Sequence, residues 1–275
     1  EKIEAVRASI LRSPQLSARK HASALGLSDR SVRRILHDDL HFHPYKMAIA
    51  HELSERDFNS RRNACEVLLE VVSEDAIVFF SDETHFHLCE SVNKQNMRYW
   101  ADTNPRELHQ RPLHSPKVTV WCAMSSAGII GPSDSEFGPV FKHVTGIFFP
   151  RLDELDLGDI WFQQDGATAH TSRASMAVLR EHFPDRLISI RGDLEWPARS
   201  PDLTPCDFFL WGFLKSRVYV NRPSTLQDLK TNIQEEIANI TPAMLARVMT
   251  NARNWFTQCM ENGGRHLSDL IFKTM

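Results

Sequence analysis

Three apolar runs in this chain each meet an aspartate at one end, and this pattern constrains the fold more than any other. "IVFFSDETHFH" (77–87) breaks at Asp82, "IWFQQDGATAH" (160–170) at Asp165, and "SPDLTPCDFFLWG" (200–212) carries Asp202 and Asp207 before its apolar residues. Short continuous apolar runs rich in β-branched and aromatic residues are the mark of strands buried on both faces. "KVTVWCAMS" (117–125), with Val118, Val120, Cys122 and Met124 alternating, adds a strand, as do "MRYWA" (97–101) and "RLISI" (186–190). Helical period covers 54–73, 170–183, 206–219, 224–240 and 241–262, with Ser224 and Thr241 as expected N-caps and Gly263 and Gly264 as the stop. The expectation is a mixed α/β domain.

The first forty residues have another pattern. In "EKIEAVRASILRS", Ile3, Val6, Ile10 and Leu11 share a helical face. "SARKHASALG" opens with Ser17 and closes at Gly26, and "SDRSVRRILHDDL" opens with Ser28 and stacks Val32, Ile35 and Leu36. Three short helices with a tight Gly-containing turn before the third match helix-turn-helix spacing. Arg30, Ser31, Arg33 and Arg34 would project from the third helix into a DNA groove, next to its cap Ser28, with Arg19 and Lys20 on phosphates. Charge agrees: residues 1–48 hold nine Lys/Arg against five Asp/Glu, in a chain of net charge −3. The expected division is a helix-turn-helix domain at 1–42, a linker and connecting helix at 43–73 and the α/β domain at 74–275. The chain does not begin with Met, so its start is expected to lie inside a longer product.

Composition excludes several classes. No apolar run reaches the ~18–20 residues that span a bilayer. Five scattered cysteines with no C-x-x-C pair fit reduced thiols. Eleven dispersed glycines form no phosphate-cradling loop. "THFHLCE" sets His85, His87 and Cys89 on one side of a strand without an evident fourth zinc ligand.

An aspartate beside an apolar run can close a turn, cap a helix or bind a metal. Three of them at strand ends or a helix start suit magnesium, which takes a few carboxylates and keeps its other positions for water and phosphate. Two such ions stabilise both oxygens of a phosphoryl displacement. The segments "SDETHF", "VTVWCAMS", "GIIGP", "FQQDGATAH" and "WPARSPDLTPCDFFLWG", in this order, resemble the catalytic domain of mariner-like transposases. "SDRSVRRILHDDLHFHPYK" resembles the second helix-turn-helix of that family's bipartite DNA-binding region.

The resemblance implies a ribonuclease H-like mixed sheet flanked by helices, preceded by the small all-α domain. It implies an Asp-Asp-Asp triad of Asp82, Asp165 and Asp207 holding Mg2+ (or Mn2+), with Glu83 and His170 in support. Asp202 is left to fix the turn before the third acid. It further implies a DNA transposase that binds terminal inverted repeats and joins 3′ ends to target DNA, working as a homodimer in the nucleus. Two departures stand out. Forty-one residues separate Asp165 from Asp207, a long spacing that points to an extended loop around "RGDLEWPA" (191–198). Residues 128–152 look short and scrambled, as in a decayed or repurposed copy that acts only as a sequence-specific DNA-binding protein.

Overall fold

The computed structural model describes residues 2–14, 16–42, 52–88, 116–134, 144–168 and 170–267. The chain divides into two compact units, one built on Glu1–Ile49 and one on Ala50–Ile271.

The small unit holds α1 (Lys2–Arg12), α2 (Ala18–Leu25) and α3 (Asp29–Arg34), the last continued by a wider turn over Ile35–Asp39. Ser17 accepts from the Lys20 amide at the start of α2. Gly26, at φ +65°, ends that helix by turning its N–H back onto Ala22 and Ser23. Val6, Ala22, Val32 and Ile35 are buried together, with Ile10, Leu25 and Leu36 packed around them. Ile3 and Leu11 were expected to face inward, but they are 39% and 65% exposed. So small a core takes only the stripe Val6–Ile10 from α1.

The large unit begins with α4 (Glu55–Val71), opened by a capping box between Ser54 and Asp57. A five-stranded sheet follows, in the order β3 (Ile129–Asp134), β2 (Lys117–Met124), β1 (Ile77–His87), β4 (Ile160–Gln163), β5 (Leu187–Ile188). The β1–β2 and β2–β3 pairs are antiparallel, and β1–β4 and β4–β5 are parallel. The helices are α5 (Phe149–Leu155), α6 (Arg173–His182), α7 (Trp211–Arg217), α8 (Leu226–Ala238) and α9 (Pro242–Glu261). This is the mixed sheet flanked by helices that was expected.

Strand alternation sorts two cores. Phe80, Phe86, Val118, Val120, Cys122 and Met124 face a layer made by α4, α7, α8 and α9. Phe79, Trp121, Ala123 and Phe162 face the layer of α5 and α6. Phe148 centres the second core, with its ring 5.2 Å from Phe79 and 5.0 Å from Phe162. Residues 128–152 therefore supply an ordinary strand and helix on either side of 135–143, which lie outside the described residues. The expected strand at 97–101, the linker at 43–51 and Cys89 also lie outside the described residues. The cap of α8 is Thr225, not Ser224, because the Thr225 hydroxyl accepts the Asp228 amide.

One buried ion pair closes the large unit. Arg61 of α4, fully buried, donates Nη1 to Asp202 Oδ1 at 2.8 Å and Nη2 to Asp202 Oδ2 at 2.7 Å. Its Nε reaches the Gly264 carbonyl at 2.8 Å, and the Leu267 amide donates to Asp202 Oδ2. Gly264 is required here: at φ +82° a Cβ would stand 1.9 Å from the Phe58 carbonyl oxygen. Asp202 thus ties α4, the turn at 200–203 and the segment after α9, a longer reach than the local turn expected of it.

Arg61→Met strands the buried Asp202 carboxylate and should cost about 3–5 kcal/mol, whereas Arg61→Met with Asp202→Leu should recover most of it. Urea melts of the two variants against the parent chain check this.

Candidate active site

The acids are positioned by the end of the β1–β4 pairing. The last paired rung sets Phe80 opposite Gln163. Asp82 and Asp165 each lie two residues beyond it on neighbouring parallel chains, and neighbouring strands are ~4.8 Å apart. Asp82 was expected at a strand end. It lies inside β1, which runs on to His87 with only β2 beside it. Past Gln163 the neighbouring strand has stopped, so Asp82 gains an open edge without ending its own strand. Ser81 Oγ donates to the Gln163 carbonyl at 2.9 Å and pins the two strands at this point.

Asp207 comes from below. Thr204 Oγ1 accepts the Asp207 amide at 3.3 Å as the chain enters the wide turn Cys206–Leu210 and then α7. One turn further on, Trp211 Nε1 donates to Asp82 Oδ2 at 2.6 Å. A single helical segment therefore carries one acid and orients another. Trp211 was read from the sequence only as core. The i, i+4 spacing of Asp207 and Trp211 on one helix face was the signal that could have found it.

Asp165 Oδ1 accepts from the Ala167 amide at 3.0 Å and from Nδ1 of buried His170 in a very short contact. Buried Gln164 donates Nε2 to the His170 carbonyl at 3.0 Å and so holds the returning loop. Sequence reading assigned Gln164 no role. The stretch at 191–198 folds back on β5: the Asp193 and Leu194 amides donate to the Leu187 carbonyl. It ends with Trp196 buried against Phe80 and Phe256. This is the extended loop expected from the long Asp165–Asp207 spacing.

The electrostatics show that the three carboxylates feel one another. Asp82 is raised to about 6, first by burial and then by repulsion from Asp165, against the Trp211 hydrogen bond and the pull of His170. Asp207 is raised to about 7, first by desolvation among the atoms packed round it and then by repulsion from Asp82 and Asp165. Asp165 is lowered: burial opposes its charge, but the hydrogen bond and charge of His170 outweigh it. His170 is raised, because Asp165, Glu83 and Asp82 overcome the effect of burial. Burial raises Glu83, and His170 opposes it.

Beneath the acids, burial raises the thiols of Cys122 and Cys206, and Cys206 Sγ donates to the Phe80 carbonyl. The donor set is thus carboxylate oxygen rather than thiolate. Among the described residues no three His, Cys, Asp or Glu side chains stand close enough to share one metal ion. That holds also for His85 and His87; His85 Nδ1 instead lies 3.0 Å from Thr119 Oγ1.

In the small unit, Arg19, Lys20, Arg30, Arg33 and Arg34 are exposed. Ser28 accepts the Ser31 amide and bonds its hydroxyl, so both serines serve the helix start. Arg33 pairs with Asp29 at 2.9 Å. Among the described residues no helix is long and apolar enough to cross a membrane.

No family model matches the chain. It is 28% identical over 205 residues to the transposable element Tc3 transposase of Caenorhabditis elegans, covering 70% of this chain and 57% of the relative. The chain thus spans little more than half the length of that curated relative. Among solved structures, it matches the Mos1 transposase paired-end complex with left transposon end at a TM-score of 0.65 and 20% identity. That match covers 96% of this chain and 79% of the other. The catalytic domain of Mos1 mariner transposase matches at a TM-score of 0.58 and 19% identity, covering 80% of this chain and 99% of that domain.

In sequence the chain is similar to the Tc3 transposase, and in fold it is similar to the Mos1 transposase. Its large unit has the fold of the Mos1 catalytic domain, and its small unit supplies additional N-terminal helices. Related Mos1 structures hold Mn or Mg.

The raised acids set a pH dependence. A carboxyl whose folded pKa is raised stabilises the fold while protonated; the effect is complete below the ordinary carboxylate value and is lost as pH rises through the folded value. Without divalent ions, Asp82 and Asp207 should therefore make the melting temperature fall between pH 5 and pH 8. Asp82→Asn and Asp207→Asn should each flatten that fall, as read by thermal melts across the range.

Proposed function

We propose that the chain is a DNA transposase whose large unit cleaves and joins DNA with Asp82, Asp165 and Asp207 as the metal-holding acids. The observation that carries this reading is the placement of Asp82 and Asp165 two residues beyond one paired rung, with Asp207 brought to them by the helix that orients Asp82. The donor set fits Mg2+ or Mn2+, because three mutually repelling carboxylates with protonated thiols beneath them favour a hard divalent cation. When bound, such ions supply a nucleophile and stabilise the attacking and leaving oxygens of the displacement. Asp82, Asp165 and Asp207 would be the residues that hold them.

The remaining roles belong to the chain. Trp211 ties up one oxygen of Asp82 and leaves the other directed to the site. His170, whose charged form its acidic neighbours favour, holds Asp165 in one orientation, and Glu83 adds negative potential beside it. The small unit binds the terminal inverted repeats through Arg30, Arg33 and Arg34, with Arg19 and Lys20 on phosphates. Its net positive charge supports this. Two copies of the chain pair two DNA ends; the Mos1 transposase, which shares the fold, forms a paired-end complex with its transposon end. The site of action is the nucleus, where the DNA substrate lies.

A second reading has one observation in its favour: no three acidic or other ligating groups among the described residues share an ion as they stand. On this reading the chain is a decayed or domesticated copy that only binds DNA. Repulsion between unneutralised carboxylates, two of them drawn to protein donors, supports the first reading instead.

Nicking of supercoiled plasmid by the purified chain in Mg2+ or Mn2+ decides between them. Asp207→Asn should abolish nicking, whereas Asp202→Asn, normalised to folded protein, should keep a measurable rate with a lowered melting temperature. Trp211→Phe should need roughly ten- to hundred-fold more Mg2+ for half-maximal rate, the usual cost of losing a group that orients a metal ligand. If the wild-type chain binds duplex DNA but never nicks with either metal, the DNA-binding reading stands.

A further inference from the structure

The "THFH" stretch has no part in the site described so far. Beyond Asp82, β1 continues beside β2 with Thr84 opposite Val120, His85 opposite Thr119 and His87 opposite Lys117. The parallel strand β4 has already ended. Alternation turns Thr84 and Phe86 toward α7, and His85, His87 and the opposed Lys117 to the other face. Lys215, in the last turn of α7, reaches across: its Nζ donates to Thr84 Oγ1 at 3.3 Å and lies 5.8 Å from the Phe86 ring centre. The His85 and His87 rings are 6.3 Å apart.

Four basic side chains thus gather at one end of the ribbon, and among the described residues none of them is in an ion pair. Lys215 and His85 are exposed, and Lys117 and His87 are half-buried. Their crowding has a cost: after burial, Lys117, His87 and Lys215 each push His85 away from its charged form. Lys215 feels Asp207 from a distance, but none of the four makes a direct ion-pair contact, so an anion that spans them would be stabilised there. The next feature along the same strand is the acid cluster, so opposite charges are segregated along β1. Lys215 stands at Thr84, roughly 7 Å beyond Asp82, and Lys117 stands opposite His87, roughly 17 Å beyond it, at ~3.3 Å per residue. A nucleic-acid strand carries a phosphate every ~3.4 Å of axis, which places the cluster about two to five phosphates from Asp82.

We propose that Lys215, Lys117, His85 and His87 form a rim that holds the DNA backbone flanking the reacting phosphate. The proposal rests on the transposase reading and extends it to the path of the DNA beside the acids.

The test uses the full chain and a random-sequence duplex without divalent ions, so that binding is read apart from chemistry. Each phosphate contact contributes about 0.9 to the slope of log K against log salt. The double variant Lys117→Gln with Lys215→Gln should flatten that slope by about 1.8, and the corresponding double Arg variant should restore it. Lys230→Gln, on α8, should leave it unchanged. Lys215→Gln alone, at an exposed position, should flatten it by about 0.9 should the double variant fold poorly. A wild-type slope in the Gln variants, with wild-type binding intact, overturns the rim and leaves the transposase reading in place. Absence of duplex binding by the wild-type chain at low salt overturns both.

Discussion

The parallel pairing of β1 with β4 sets the position of everything proposed here for the large unit. It ends at Phe80 opposite Gln163, and from that rung two chains run on side by side, each reaching an aspartate two residues later. A one-residue slip would turn Asp82 or Asp165 to the opposite face. Register is held by the apolar residues beneath it. Phe79 and Phe162 insert into one core and Phe80 into the other, so a slipped strand would bury the wrong side chains on both faces. The chemistry of the strand ends thus inherits its precision from aromatic packing.

Packing also holds together groups that repel one another. Asp82, Asp165 and Asp207 raise or oppose each other's charge, and nearby compensation comes from His170, Lys215 and the Trp211 N–H. The stabilisation that offsets this is remote: the buried Arg61–Asp202 pair and the apolar contacts of α9 with α4 and Trp196. Such a division is expected of a site built to receive cations. A local countercharge strong enough to relax the acids would also compete with the metal for them.

Much of this was legible in the sequence because it depends on local pattern. The apolar runs ending at Asp82 and Asp165 gave strands, Thr-Pro at 241–242 gave the start of α9, and Gly26 gave the turn between α2 and α3. What escaped depends on pairing between distant segments. Asp82 was placed at a strand end because apolar content stops there, yet β1 continues on polar residues paired with β2. The helical pattern of 54–73 said nothing of Arg61, whose partners lie on the turn at 200–203 and the chain after α9. Ser224 and Thr225 both donate to the Asp228 side chain, and the choice of cap is settled by the Thr225 hydroxyl, which accepts the Asp228 amide. The roles of Trp211 and Gln164 required knowing which strand each would meet.

Asp202 and Asp207 make the same contrast within five residues. Both are aspartates that follow a proline by one or two positions, and local sequence does not separate them. Asp202 is buried but satisfied, with both oxygens held by Arg61 and one also by the Leu267 amide. Asp207 lies at the surface, repelled by Asp82, Asp165 and more weakly by Asp202, with only Lys215 drawing its charge the other way. A buried carboxylate paired in this bidentate way is committed to structure, since releasing it for a ligand would strand Arg61 in the core. A carboxylate held near its neighbours without a dedicated partner keeps its oxygens available. The assignment of roles therefore turns on the partner each acid has been given, and the fold decides that by bringing α4 to one and β1 to the other.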